Sequence, residues 1–388
     1  MEVYRQDDGQ LPFLRESVDP DRFLKGPPPT GIWIVFTEPM FFEKRSRLRE
    51  SMTTQWNYPA MLWHKSYNES NGYAGSARHE GAIVVDTSWF HFLIKQLKPR
   101  GLPTKTWYYY VYEWYEMSFY IYTIPNGATV MFCMDTPPQF EKELLHTLNT
   151  RNKLVPEHKL AFLQSTVLGQ LLKMYDHSVW TIRDVVRDLE KERDLSGATR
   201  QKHLDFAQMH DLARHIIHTC EIIAVACDNI TELLAGHGVD NGRRCQCLPN
   251  TTDTGKVACS HNDMASSLGL LRNLGRRAEA LNARLRNEIN LGFNLVVQHD
   301  SASMKTIAVV TLAFLPATFV STVFSMSFFS MSFNDDNGKE EWNVSNKFWI
   351  YWVLAVPLTI LTLLCWTYGQ RAGGLEVMPN FRTRQGKA

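Results

Sequence analysis

Hydrophobic positions follow two textures along the chain, and the change falls near Pro138. Upstream, short runs of β-branched and aromatic residues sit between Pro- and Gly-bearing breaks. They are Gly31 to Phe36 after Pro27, Pro28 and Pro29, then Ala82 to Val85, Trp107 to Tyr122, and Ala128 to Cys133 beyond the turn signal Pro125-Asn126-Gly127. Runs bounded in this way predict sheet strands, and the first stretch of the chain is otherwise expected to be loop-rich. Downstream, apolar residues recur every three or four positions from Leu160 to about Arg193 and from Ala198 to about Ala235, which predicts two long helices. A Gly-, Asn- and Thr-rich mobile loop is expected from Gly236 to His261.

From about Asp263 no proline occurs until Pro316, and Leu271, Leu274, Ala278, Leu281 and Leu285 step by three and four. Arg272, Arg276, Arg277, Arg284 and Arg286 lie mostly off that line. This is a seam for packing against other helices, as in a coiled coil. A continuous helix from Asp263 to Phe324 would be roughly 90 Å long at the α-helical rise. It leads into Thr306 to Phe324, which carries no charge, and a second uncharged stretch runs from Phe348 to Tyr368. Both are about as long as a bilayer core requires. Aromatic residues edge the second span at Phe348, Trp349, Tyr351 and Trp352 and again at Trp366 and Tyr368. Pro316 and Pro357 are tolerable in membrane helices. A buried helical hairpin is the competing reading.

The expected fold class is α+β, a cytosolic α/β domain with a helical stalk and two C-terminal transmembrane helices. The sheet-containing domain is placed at residues 1–155, the paired long helices with their loop at 156–262, and the stalk at 263–303. The first span follows at 304–328, a short acidic extracytosolic loop at 329–347, the second span at 348–368 and a basic tail at 369–388.

Composition narrows the function classes. At 388 residues the chain is long enough for about two to three domains. Lys+Arg is 41 against Asp+Glu 40, a formal charge of +1, so a wholesale nucleic-acid binder is excluded. A mean hydropathy of −0.25 excludes a chain made mostly of membrane helices. The polar N-terminus MEVYRQDDGQ lacks the apolar core of a signal peptide. An odd count of 7 cysteines suits a reducing compartment. Lys305 and the stalk arginines precede the first span, and Arg371, Arg382, Arg384 and Lys387 follow the second. The positive-inside bias therefore places both termini in the cytosol and the loop acids Asp335, Asp336, Glu340 and Glu341 outside. The plasma membrane is expected, with an organelle membrane as the alternative.

Two helices cannot enclose a wet path, so transport would need several chains around one axis. Alternating steps of three and four along the first span give Ser301, Met304, Ala308, Thr311, Leu315, Thr318, Thr322 and Ser325. Such a stripe hydrogen-bonds the waters of a hydrated cation without a fixed charge inside the bilayer. Met304 and Leu315 would narrow it as apolar, dewetting gates. The same small and hydroxyl-bearing residues equally suit close helix packing.

At these residues the chain resembles the CorA family of divalent-cation transporters, in its divergent fungal branch. The run Met304-Lys305 followed by Phe314-Leu315-Pro316-Ala317-Thr318-Phe319 is similar to the family's first-span segment, and it stands at the end of a very long helix before a short acidic loop. The resemblance covers roughly the last third of the chain. It implies a homopentameric funnel whose first spans line the pore and whose cargo is Mg²⁺ or another divalent cation such as Zn²⁺, with no resident cofactor. The family's Gly-Met-Asn motif, which receives the hydrated ion, falls on Ser325, Met326 and Ser327, so only the methionine is retained. Mg²⁺ sheds water reluctantly, which suits recognition by a polar ring through its hydration shell.

Cys245, Cys247, Cys259 and His261 supply four metal-ligating side chains in one loop, but at a spacing unlike standard zinc modules. Asp211, His215 and His218 share a helical face, with His210 and Glu221 nearby. No P-loop or nucleophile elbow occurs, and enzyme activity is not expected. The chain thus reads as a homo-oligomeric divalent-cation channel or transporter working by gated diffusion. The rival reading is a non-conducting membrane protein that keeps the scaffold as a sensor or assembly platform.

Overall fold

The structure, a computed structural model, describes all residues except 7–11, 29, 38–40, 43, 101–108, 126, 152–158, 196–205, 237–259, 325–328, 334–339 and 373–388. The chain divides into two compact units, Met1–Ile289 and Asn290–Ala388.

In the first unit, β1 (Glu2–Gln6), β2 (Leu14–Ser17), β3 (Ile32–Thr37), β4 (Gly72–His79), β5 (Val85–Arg100), β6 (Tyr109–Thr123) and β7 (Thr129–Met134) form one sheet. Its order is β2-β1-β3-β7-β6-β5-β4. β3 and β7 run parallel, from Ile32 opposite Thr129 to Thr37 opposite Met134, and the other neighbours are antiparallel. Every residue of β3 and β7 is buried, which explains their unbroken apolar runs: a central strand covered on both faces has no solvent side to keep polar.

Different elements cover those two faces. On one, Ile34, Phe36, Phe119, Ile121 and Met131 pack with the helices α4 (Pro138–Arg151), α5 (Lys159–Leu195), α6 (Phe206–Gly236) and α7 (Ser260–Phe324) in one core. On the other, Val35, Tyr120, Val130 and Phe132 pack beneath α1 (Pro20–Phe23), α2 (Ser46–Gln55) and the short 3-10 turn Ala60–Trp63. Trp56 anchors this second core. Fully buried, it stacks on Phe23 at 5.6 Å, meets Phe132 edge-on at 5.1 Å, and donates Nε1–H to the Leu24 carbonyl at 3.2 Å. Its own carbonyl accepts the Tyr120 hydroxyl. Replacing a tryptophan so placed by alanine costs about 3–5 kcal/mol.

The helices are tied to the sheet by buried polar contacts as well as apolar packing. Tyr175 on α5 donates to the Leu93 carbonyl at 2.9 Å, Gln164 to Ser88 Oγ at 2.8 Å, and Asn229 on α6 to the His91 carbonyl at 2.9 Å. On α7, Leu271, Leu274, Ala278, Leu281 and Leu285 are all buried in the first core. Two of the off-seam arginines meet α5: Arg284 pairs with both oxygens of Glu190, and the Arg277 guanidinium lies 4.3 Å from the Trp180 ring centroid.

Several expectations need correction. The first stretch is not merely loop-rich: it holds β1, β2, α1 and α2, and β1 closes against both β2 and β3. The backbone there turns at Gly31, whose φ of +89° puts an added Cβ 2.7 Å from the Gln6 carbonyl oxygen, a position only glycine suits. The run Ala82 to Val85 is not a strand of its own; Ala82 to Val84 lead into β5, which starts at Val85, and Ile83 is exposed. A further strand, β4, pairs along β5. The second helical stretch is described as Phe206–Gly236, and its expected start at Ala198 lies among residues 196–205, outside the described residues. The loop expected from Gly236 to His261 lies outside them from 237 to 259.

In the second unit α7 continues to Phe324, and α8 runs over Phe348–Ala372. Between them, the segment expected as a plain loop contains a two-stranded hairpin, β8 (Phe329–Phe333) and β9 (Glu340–Val344), with Phe329 opposite Val344 and Phe333 opposite Glu340.

Candidate ion pathway and its surroundings

Met304–Val323 on α7 and Phe348–Tyr368 on α8 are each long and apolar enough to cross a membrane, at 20 and 21 residues. The two faces of the first span differ. Pro316 and Val320 are buried, on the side that also carries Ala317 and Ser321. That side meets α8: the Tyr351 hydroxyl lies 3.2 Å from Ser321 Oγ and donates to the Ala317 carbonyl at 3.4 Å, and Ala355, one turn further on, is buried. Ser301, Met304, Ala308, Thr311, Leu315, Thr318 and Thr322 are all exposed. At about 100° per residue they fall on roughly the opposite side of the helix from Pro316 and Val320. Exposed along its length, the hydroxyl-bearing stripe is centred on the side of the helix away from Ala317 and Ser321, where Tyr351 makes its contacts.

The threonines on that stripe direct their protons inward. Thr311 Oγ1 donates to the Ile307 carbonyl at 2.9 Å, Thr318 to Leu315 at 2.9 Å, and Thr322 to Thr318 at 2.8 Å. A hydroxyl that gives its hydrogen to the preceding turn presents its oxygen as an acceptor. Water bound to a cation points its hydrogens outward, so acceptors are what a hydrated cation needs from a wall. Met304 and Leu315, at 68% and 62% exposure, stand on the same stripe as its apolar members.

The other candidates are placed as follows. Ser325, Met326 and Ser327 lie outside the described residues, as do Asp335, Asp336, Cys245, Cys247 and Cys259. Glu340 and Glu341 lie on β9, opposite Phe333 and Ser332, and His261 is in the first turns of α7. Among the described residues no group of three or more His, Cys, Asp or Glu side chains is arranged to hold a metal ion.

The histidine face of α6 has a different environment. His215 Nε2 meets Asp211 Oδ2 at 3.3 Å, Asp211 also takes Arg214, and Glu221 accepts from Asn71 at 2.7 Å. Tyr112 and Trp114 from β6 pack on His215 and His218 with centroids 4.6 and 4.7 Å apart. The Lys95 ammonium lies over both aromatic rings, at 4.6 and 4.4 Å. Burial first, and Lys95 second, lower the pKa of both histidines, while burial brings Lys95 itself down to about 8. A cation on the two rings that pack against the imidazoles opposes a metal there, so the cluster is an aromatic setting for a lysine. Sequence reading missed Lys95; the aromatic run of β6 was its visible half.

Comparison with known proteins follows the same division of the chain. Residues 260–367 match the family model described as CorA-like Mg2+ transporter protein. Notoamide biosynthesis cluster protein M' of Aspergillus versicolor is 31% identical over 303 residues, which is 72% of this chain and 62% of that protein. The chain thus spans less than two thirds of that relative's length. Among solved structures, the full-length CmaX protein superposes with a TM-score of 0.60 at 13% identity, covering 96% of this chain and 98% of that one. The CorA magnesium transporter from Methanocaldococcus jannaschii gives 0.53 at 13% identity, with the same coverage; at this identity both likenesses speak for the fold. The last third of the chain is thus similar to the CorA-like family model, and its sheet, long helices and two apolar C-terminal helices share the fold of the CmaX protein and the CorA magnesium transporter.

Proposed function

We propose that the chain assembles as a homo-oligomer, a pentamer as the resemblance implies, and passes a divalent cation, Mg²⁺ foremost, through a path lined by the first span of each copy. The observation that carries this reading is the exposed stripe of Thr311, Thr318 and Thr322, turned away from Tyr351 and offering acceptor oxygens. Asp335, Asp336, Glu340 and Glu341 concentrate cations at the outer mouth, Ser325, Met326 and Ser327 receive the hydrated ion, and Met304 and Leu315 close or open the path. Both termini face the cytosol, in the plasma membrane. The membrane potential drives a divalent ion inward with about 4.6 kcal/mol per 100 mV. The chain acts as a transporter rather than an enzyme, and the metal is cargo.

Flux into liposomes carrying the purified protein tests this. Mg²⁺ uptake above that of empty vesicles is expected under an inside-negative potential, and Leu315→Ser, which wets one constriction, raises it several-fold. Absence of both Mg²⁺ and Zn²⁺ uptake despite correct insertion overturns the reading. One observation favours a non-conducting scaffold: only Met326 of the family's three-residue motif is retained. Under that second reading, flux is seen only after Ser325→Gly and Ser327→Asn are introduced together.

A further inference from the structure

Pro316 interrupts the first span. Having no N–H, it leaves the Leu312 carbonyl without its intrahelical donor, and helices bend most readily at such a residue. The two sides of that break differ. Before it, the side facing away from the stripe carries Val309, Leu312 and Ala313, apolar and half-buried. Just beyond it stands a polar clip. Ser321 Oγ donates to the Tyr351 hydroxyl at 3.2 Å, and Tyr351 donates in turn to the Ala317 carbonyl at 3.4 Å. Val320 and Ala355, each within about a turn of the clip, are buried.

The donor is particular to this position. Thr359 and Thr362, further along α8, are half-buried too, yet they give their protons to the Ala355 and Thr359 carbonyls of their own helix. A phenol hydroxyl stands too far from its own backbone for that and finds its partner on a neighbouring element. The Tyr351 ring is held for the purpose by Phe348, stacked at 6.0 Å, and by Trp352, edge-on at 5.3 Å.

Direction follows from where the clip acts. Ala317 and Ser321 lie on the α8 side, and the stripe of Leu315, Thr318 and Thr322 is centred away from it. With the stripe facing an axis shared by several copies, α8 lies outside the first span at this level, and the clip draws the segment beyond Pro316 outward. Without the clip that segment is free to lean inward about the proline, bringing Thr322 of neighbouring copies closer together.

We propose that Tyr351 is a positioning residue for the ion path: its hydroxyl braces the first span beyond Pro316 against α8 and holds Thr318 and Thr322 back from the axis. This role rests on the conduction reading above, which turns the stripe towards the axis.

Tyr351→Phe keeps the ring and removes the hydroxyl, and Trp352→Phe, at an exposed neighbour, serves as control. In proteoliposomes of the full chain under an inside-negative potential, Mg²⁺ uptake is expected to fall about three- to tenfold in Tyr351→Phe, the range one interhelical hydrogen bond contributes. It should stay unchanged in Trp352→Phe. A second readout needs no flux. Copper-phenanthroline cross-linking between copies is measured with Thr322→Cys beyond the break and Thr311→Cys before it, each with and without Tyr351→Phe, against the chain lacking the introduced cysteine. Tyr351→Phe should speed cross-linking at Thr322→Cys and leave Thr311→Cys as it was, whereas a general loosening of the fold changes both. Should the unsubstituted chain pass neither Mg²⁺ nor Zn²⁺, the conduction reading fails, and the cross-linking pair still decides the brace. Equal uptake by Tyr351→Phe and a conducting unsubstituted chain, no rise at Thr322→Cys, or equal rises at both cysteines would each overturn the proposal.

Discussion

His91 is held between Tyr73 and Ser118 with its pKa brought from 6.5 to about 4 by burial. Its folded pKa lies below the unfolded one, so on acidification the unfolded chain takes up the proton first. Stability is therefore level above about pH 6.5 and falls as the pH drops from there towards 4, by on the order of 3 kcal/mol over the window. His215 and His218 are shifted in the same direction, by burial and by Lys95, and add to the slope. Thermal unfolding of the full chain between about pH 7.5 and 4.5 should show a steady Tm that then declines, with a smaller decline in His91→Gln. Superimposable profiles for the two proteins would remove His91 as the source.

Among the elements, α7 shows most plainly how side-chain spacing becomes stability. Leu281 is 2% exposed in the first core, whereas Arg276 is exposed and hydrogen-bonds Asn273 at 3.0 Å. Leu281→Ala should therefore cost about 2–5 kcal/mol, and Arg276→Ala no more than about 0.5 kcal/mol. Denaturant titration of both variants checks this, and equal midpoint shifts would refute it. The same helix shows what was legible beforehand. Its seam, and those of α5 and α6, can be read because an apolar residue returns every third or fourth position. β3 and β7 can be read because burial on both faces leaves no polar interruption. β2 (LRES) and β4 (GYAGSARH) could not be read: they are the outer strands of the sheet, and outer strands are short or polar because one edge stays unpaired. The stripe on the first span follows from spacing alone. The contact of Tyr351 with Ala317 and Ser321 does not, because it exists only once the two spans have packed together.

For the molecule as a whole, the question is which side of the first span faces water once copies assemble. Thr311 and Thr318 on the stripe, Val310 on a flank and Val320 on the α8 side give contrasting positions. In proteoliposomes, Thr311→Cys and Thr318→Cys should react with a charged, membrane-impermeant thiol reagent supplied from both sides. Val310→Cys and Val320→Cys should react no faster than the unsubstituted chain. Reactive valine positions with inert threonine positions would place the water on the wrong face. The parallel pair within the sheet has a consequence of another kind, felt while the chain is being made. Trp33 lies against Val130, roughly a hundred residues further on, so β3 leaves the ribosome long before its partner is translated. Apolar from Ile32 to Phe36, it waits with one edge protected by β1 and the other bare, an adhesive strip during synthesis. Any product stalled short of Thr129 keeps that edge open, so the interval between translating the two strands is when this protein is most exposed to aggregation.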